Sequence, residues 1–168
     1  GTSSNRGISV ASSAGNVVSG NTINTSGTSD SNFGIYLYNA AHNNTVANNT
    51  ISATGGGGGA IMGIYLVTTV SGNVVFGNNV TTRGTSDSYG IRLQDSTNNN
   101  TIANNTVNTG GSQGQNWGIA FQGFGNVVSG NVVNTSGTSA NYGILFDSSA
   151  NNNTVANNTI TAGGSAGS

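Results

Sequence analysis

A box of Gly, Ile, any residue and then an aliphatic or aromatic residue opens at Gly7, Gly34, Gly63, Gly90, Gly118 and Gly143, at intervals of 27, 29, 27, 28 and 25 residues. In the second box Ile35 and Leu37 alternate with Tyr36, the period of two of a strand with one buried face. Downstream of every box runs a second frame, Asn-x-aliphatic-x-x-Asn-x-aliphatic. It reads Asn16, Val18, Asn21 and Ile23, then Asn44, Val46, Asn49 and Ile51, then Asn73, Val75, Asn78 and Val80. It continues as Asn100, Ile102, Asn105 and Val107, then Asn126, Val128, Asn131 and Val133, and finally Asn153, Val155, Asn158 and Ile160. Spread over 168 residues, six copies give 28 residues per copy. The pattern predicts six rungs of three short strands joined by tight bends, with one repetitive domain over residues 1–168.

Strands this short need partners, and stacking the rungs in register gives each strand its own copies above and below. At about 4.8 Å per strand, six rungs would rise roughly 29 Å. Ile and Val columns would fill the interior, and the frame Asn residues would form hydrogen-bonded ladders from rung to rung. Pro, which cannot donate to such a ladder, is absent. Gly, Ser, Thr and Asn dominate the composition, which in bulk resembles a disordered chain, but a disordered chain has no need of Val and Ile at fixed places.

The rungs alternate in kind. Rungs one, three and five carry GNVVSGNTI, GNVVFGNNV and GNVVSGNVV, whereas rungs two, four and six carry NNTVANNTI, NNTIANNTV and NNTVANNTI. The unit is thus a rung pair of roughly 55 residues, present three times. Just before the ladder Asn, odd rungs have Gly15 and Gly20, Gly72 and Gly77, Gly125 and Gly130. Even rungs have Asn43 and Asn48, Asn99 and Asn104, Asn152 and Asn157, each opening an N-x-T acceptor sequence for N-glycosylation, to which Asn79 (N-x-T) and Asn24 and Asn134 (N-x-S) add three. Two readings stand side by side. Gly and Asn both accept positive φ, so their exchange records a bend; or alternate rungs carry sugars about 9.6 Å apart, twice the strand spacing.

The strings GIYLYNAAHNNTVANNTI and GIRLQDSTNNNTIANNTV are similar to repeats of archaeal and bacterial surface proteins. The whole chain resembles the right-handed parallel β-helix class that these share with pectate-lyase-like enzymes. The resemblance implies an all-β, right-handed solenoid, in keeping with the general handedness of parallel crossovers.

Charge narrows the options further. Only Arg6, Arg83, Arg92, Asp30, Asp87, Asp95 and Asp147 are charged, 4% of the chain, against about 25% in ordinary domains. Three cations are too few for a phosphate-neutralising patch, so no nucleic-acid partner is expected. No apolar run approaches the ~20 residues of a membrane span. There is no Cys and no Glu, and His42 is the only histidine, so no metal and no cofactor are expected. The four Asp residues do not cluster in sequence and read as solvated turn residues, which argues against the paired carboxylates of a glycosidase. Gly55–Gly59 reads as a flexible bend, since no Gly-Lys-Ser/Thr follows it. Phe33, Met62, Tyr89, Trp117 and Tyr142 each precede a box glycine, with Arg6 in the first place. That column either packs a corner or stacks on sugars. Val17, Thr45, Val74, Thr101, Val127 and Thr154 alternate after the first ladder Asn, which lacks the sustained Thr array of an ice-binding face and suits lateral packing.

Neither terminal rung shows an atypical polar outer face of the kind that stops a solenoid. The expectation is an uncapped, non-enzymatic, extracellular or cell-surface protein that stacks head to tail with itself into a filament, sheath or layer, with covalent glycans. The alternatives are a segment of a longer adhesin and, third, a carbohydrate-active or ice-binding module.

Overall fold

The computed structural model describes residues 4–28 and 31–164. They form a right-handed parallel β-solenoid of six rungs, three strands per rung and three six-stranded parallel sheets. Rung two is typical: Asn32–Tyr38 in sheet A, Thr45–Ala47 in sheet B and Thr50–Gly55 in sheet C. Every strand pairs with the same strand of the next rung, so chain order and spatial order coincide within each sheet.

The core consists of the predicted columns. Ile8, Ile35, Ile64, Ile91, Ile119 and Ile144 stand in register in sheet A. Val18, Val46, Val75, Ile102, Val128 and Val155 do so in sheet B, and Ile23, Ile51, Val80, Val107, Val133 and Ile160 in sheet C. In the middle rungs these side chains lose all solvent contact, worth about 1.5–3 kcal/mol each.

The box glycine has a steric cause. The alternation slips at this residue: Asn32 and Ile35 are both buried inward, while Phe33 and Tyr36 meet on the outer face with ring centroids 5.1 Å apart. A Cβ on Gly34, Gly63, Gly90 or Gly118 would overlap the branched methyl of Ile51, Val80, Val107 or Val133, which reaches across the coil from sheet C of the same rung. The Gly-Ile box is therefore a socket followed by a core residue.

Candidate functional site

Three surfaces carry chemistry: the bends flanking sheet B, the two end faces, and the outer face of sheet A.

At the bends, all twelve alternating positions adopt the left-handed conformation, with φ of 52–56° at Asn43, Asn48, Asn99, Asn104, Asn152 and Asn157 and 64–72° at the six glycines. The alternation also fits a packing rule. A Cβ on Gly72, Gly77, Gly125 or Gly130 would overlap the side-chain oxygen of Asn43, Asn48, Asn99 or Asn104, one rung earlier. Each bend Asn thus leans over a glycine of the next rung, so Asn follows Gly and Gly follows Asn. All six bend Asn residues are exposed. Asn24, Asn79 and Asn134 are exposed on the outer side of sheet C strands, where Asn134 Nδ2 donates to Asn108 Oδ1 at 3.0 Å.

The residue after each bend Asn or Gly is the ladder Asn, and it points inward. Asn16, Asn44, Asn73, Asn100, Asn126 and Asn153 form one ladder, and Asn21, Asn49, Asn78, Asn105, Asn131 and Asn158 the other. In each, the backbone N–H of one Asn donates to Oδ1 of the Asn in the next rung, at 2.7–3.0 Å. The amide nitrogen reaches back to a carbonyl of the preceding rung, as from Asn49 to Val18 and from Asn131 to Ile102, both 2.9 Å.

These ladders have direction, so the two end faces differ. On the first rung, among the described residues, Oδ1 of Asn16 and of Asn21 receives no donor, and a Cβ on Gly15 or Gly20 would meet nothing within 4 Å. On the last, again among the described residues, the backbone N–H groups of Asn153 and Asn158 have no acceptor, and Asn152 and Asn157 have no glycine beneath them. Tyr142, Phe146 and Ile160 of that rung are about half exposed.

The outer face of sheet A holds the aromatic column in register, from Arg6 through Phe33, Met62, Tyr89 and Trp117 to Tyr142. It lies on the flat of the sheet and not at a corner. Beside it stand Tyr36, Tyr65 and Arg92. The Arg6 guanidinium lies 4.6 Å from the Tyr36 ring centroid, and that of Arg92 lies 5.4 and 5.0 Å from Tyr89 and Trp117.

The expectation of solvated aspartates needs correction here. Asp147 pairs with Arg92 at 2.7 Å, two rungs away. The pair spans rung five because Ala120, the register partner of Arg92, is small and fully buried. Gln122 donates to Asp147 at 3.1 Å, and its oxygen accepts the Asp95 N–H at 3.0 Å. Burial works against ionisation of Asp147, but hydrogen bonds from the Ser148 N–H, Gln122 and Arg92, with the charge of Arg92, hold its carboxyl below the usual range. Burial pushes the Tyr65 hydroxyl up to about 12 and that of Tyr89 higher still, the latter assisted by Asp87, which accepts its hydrogen bond at 3.1 Å. Asp87 also accepts the Gln115 N–H at 2.8 Å. Asp30 lies outside the described residues. The ion pair was legible in principle: Arg92 and Asp147 are 55 residues apart, the length of one rung pair, and such residues are neighbours in a solenoid. His42 accepts the Ser71 N–H of the next rung at 3.2 Å. Among the described residues no three His, Cys, Asp or Glu side chains gather as metal ligands, and no helix is long and apolar enough to cross a membrane.

Residues 2–133 match the family model of the right handed beta helix region. Neither a curated protein nor a solved structure matches the chain.

Proposed function

The chain belongs to the right-handed β-helix family, and from that premise we propose that it is a structural protein of the cell exterior. Its copies stack head to tail, and N-linked glycans decorate the even rungs. The observation that carries this reading is the fit between the end faces. Donor N–H groups of Asn153 and Asn158 on one face match the free Oδ1 acceptors of Asn16 and Asn21 on the other. Asn152 and Asn157 match the open glycines Gly15 and Gly20. A second copy laid on the last rung continues both ladders and the bend alternation at once and sets Arg6 against Tyr142, so each junction repeats the ladder contacts already made between rungs. Such a heterologous contact does not close and grows as a fibre. The strand edges that natural sheets shield with charge or Pro would be covered by pairing.

The glycan part rests on chemistry at the bends. The amide nitrogens of Asn43, Asn48, Asn99, Asn104, Asn152 and Asn157 are exposed and make no hydrogen bond among the described residues, whereas the ladder amides are committed to the core. Sugars would also supply the solubility that a surface with so few charges lacks.

Sedimentation velocity over a concentration series tests the stacking, comparing the chain with Gly15→Asn/Gly20→Asn. Asn keeps the left-handed bends, and the space around both positions is empty, so the variant folds but meets Asn152 and Asn157 of the preceding copy. Growth of large species by the parent and at least tenfold weaker association by the variant is the expected result. Monomers throughout would overturn the stacking reading and favour the alternative of a segment of a longer adhesin. Polysaccharide turnover abolished by Asp147→Asn would replace the structural reading with an enzymatic one.

A further inference from the structure

Rung five carries a notch. From box glycine to first ladder Asn, rungs two, three, four and six each run ten residues, but rung five runs eight, from Gly118 to Asn126. In rungs two to four this turn contains a pair of left-handed residues, Asn39 and Ala40, Thr68 and Thr69, Asp95 and Ser96, with φ of 51–66°. Rung five has in its place the single residue Gly123, φ 86°. Only glycine fits there, since a Cβ would overlap the Thr97 carbonyl oxygen. The shortened turn leaves Asp95 and Ser96 uncovered and opens a cavity of about 340 Å³ between the turns of rungs four and six, lined by Asp95, Ser96, Asn98, Gln122, Phe124 and Ser149.

Phe124 is out of place by the logic of the repeat. Its column holds Ala14 in the first rung and the polar His42, Ser71, Asn98 and Asn151 in the others, and Phe124 is 51% exposed. The Phe124 N–H donates to Asn98 Oδ1 at 3.0 Å, and the Asn98 amide nitrogen makes no hydrogen bond among the described residues. The Asp95 carboxylate accepts no hydrogen bond among the described residues, while its own N–H is held by Gln122.

We propose that this notch binds a single neutral sugar residue, with the ring face on Phe124 and hydroxyls held by the Asp95 carboxylate, the Asn98 amide and the hydroxyls of Ser96 and Ser149. The lining selects that chemistry. One carboxylate repels an anionic ligand and is too few for a divalent cation, which takes six or more oxygens. A lone ring among amides and hydroxyls offers little to a wholly apolar molecule. A polyhydroxylated ring, apolar on its face and polar at its rim, matches both. The cavity sits at the small end of ligand sites, which span roughly 300–1,000 Å³. The proposal is independent of the stacking reading, since no residue of either end rung's ladders enters it.

The test uses the full chain from a host that does not N-glycosylate, titrated with methyl glycosides of glucose, galactose, mannose and N-acetylglucosamine and followed by saturation-transfer NMR. Phe124→Ala removes the exposed ring, and Asp95→Asn removes the charge while keeping a residue suited to φ 56°. Phe76→Ala, an exposed ring on sheet B, is the control. At least one glycoside is expected to bind with a Kd in the roughly millimolar range, weakened tenfold or more by either notch variant and unchanged by the control. Absence of binding by all four, survival of binding in Phe124→Ala, or equal loss in Phe76→Ala would overturn the proposal, as would calcium displacing the sugar through Asp95. Unchanged circular dichroism in the variants confirms that a loss is local.

Discussion

Replacing Asn105 by Ala should be among the most damaging single changes in this chain, although it removes only a small polar side chain. Asn105 is 1% exposed. Its Oδ1 accepts both the backbone N–H and Nδ2 of Asn78 at 2.9 Å, and its Nδ2 faces Val75 O, Ala103 O and Asn131 Oδ1 at 3.0 Å. Alanine orphans the buried Asn78 N–H, which costs about 1–3 kcal/mol, and removes two further amide bonds at about 1 kcal/mol each. The sum is about 3–5 kcal/mol. Asn16 makes the same motif at the exposed end. Truncating it orphans no donor, because Asn44 Oδ1 keeps the Asn16 N–H, so Asn16→Ala should cost under about 1 kcal/mol. Urea titrations read by Trp117 fluorescence and by circular dichroism measure both, and coincidence of the two probes checks that unfolding is cooperative. If the two variants fall within about 0.5 kcal/mol of each other, the ladder is not what holds the rungs in register.

Gly90→Ala places a methyl onto the Val107 side chain and against the Gly118 carbonyl oxygen, 2.6 Å away, and is expected to cost about 2–4 kcal/mol in the same titration. Thr68→Asn should act in the opposite sense, raising stability by up to about 1 kcal/mol, because a β-branched residue sits at φ 66° in an exposed turn. Stability should be nearly flat between about pH 5 and 9. Asp147 has a depressed carboxyl, so its contribution is full above about pH 4 and lost as pH falls through the folded value. Tyr65, raised from 10.0 to about 12, contributes fully below pH 10 and loses that contribution as pH rises to 12. Thermal melts across pH 2–12 would show any unexpected mid-range slope. In a host that N-glycosylates, intact mass before and after amide-cleaving glycosidase should show sugars on bend Asn residues, and Asn134, whose amide is engaged by Asn108, should be the least occupied of the nine.

The regular part of this molecule was legible because the solenoid makes sequence periodicity and spatial adjacency the same thing. Reading Ile35 and Leu37 against Tyr36, or Asn44 against Asn73, fixed strands, register and ladders together, since each column is one position repeated. The box glycine was legible as a marker but not as a socket, because its partner, such as Val107 for Gly90, lies in a different strand across the coil. The Asn and Gly alternation looked like a choice between bend and sugar, whereas the packing adds a third cause, the side chain of Asn43 resting on Gly72. What escaped were the departures from the repeat. Arg92 reaching Asp147 over Ala120, and the two-residue deletion that bares Asp95 and Phe124, depend on which rung a residue stands in. A reading that averages over rungs removes that information.

The head-to-tail stack is tested most directly by cryo-electron microscopy of the purified chain. The account predicts filaments with an axial subunit repeat near 29 Å, six strand spacings of about 4.8 Å, with sugar density beside Asn43, Asn48 and their even-rung counterparts when the source glycosylates. Discrete single particles at high concentration, with both end faces bare, would contradict it.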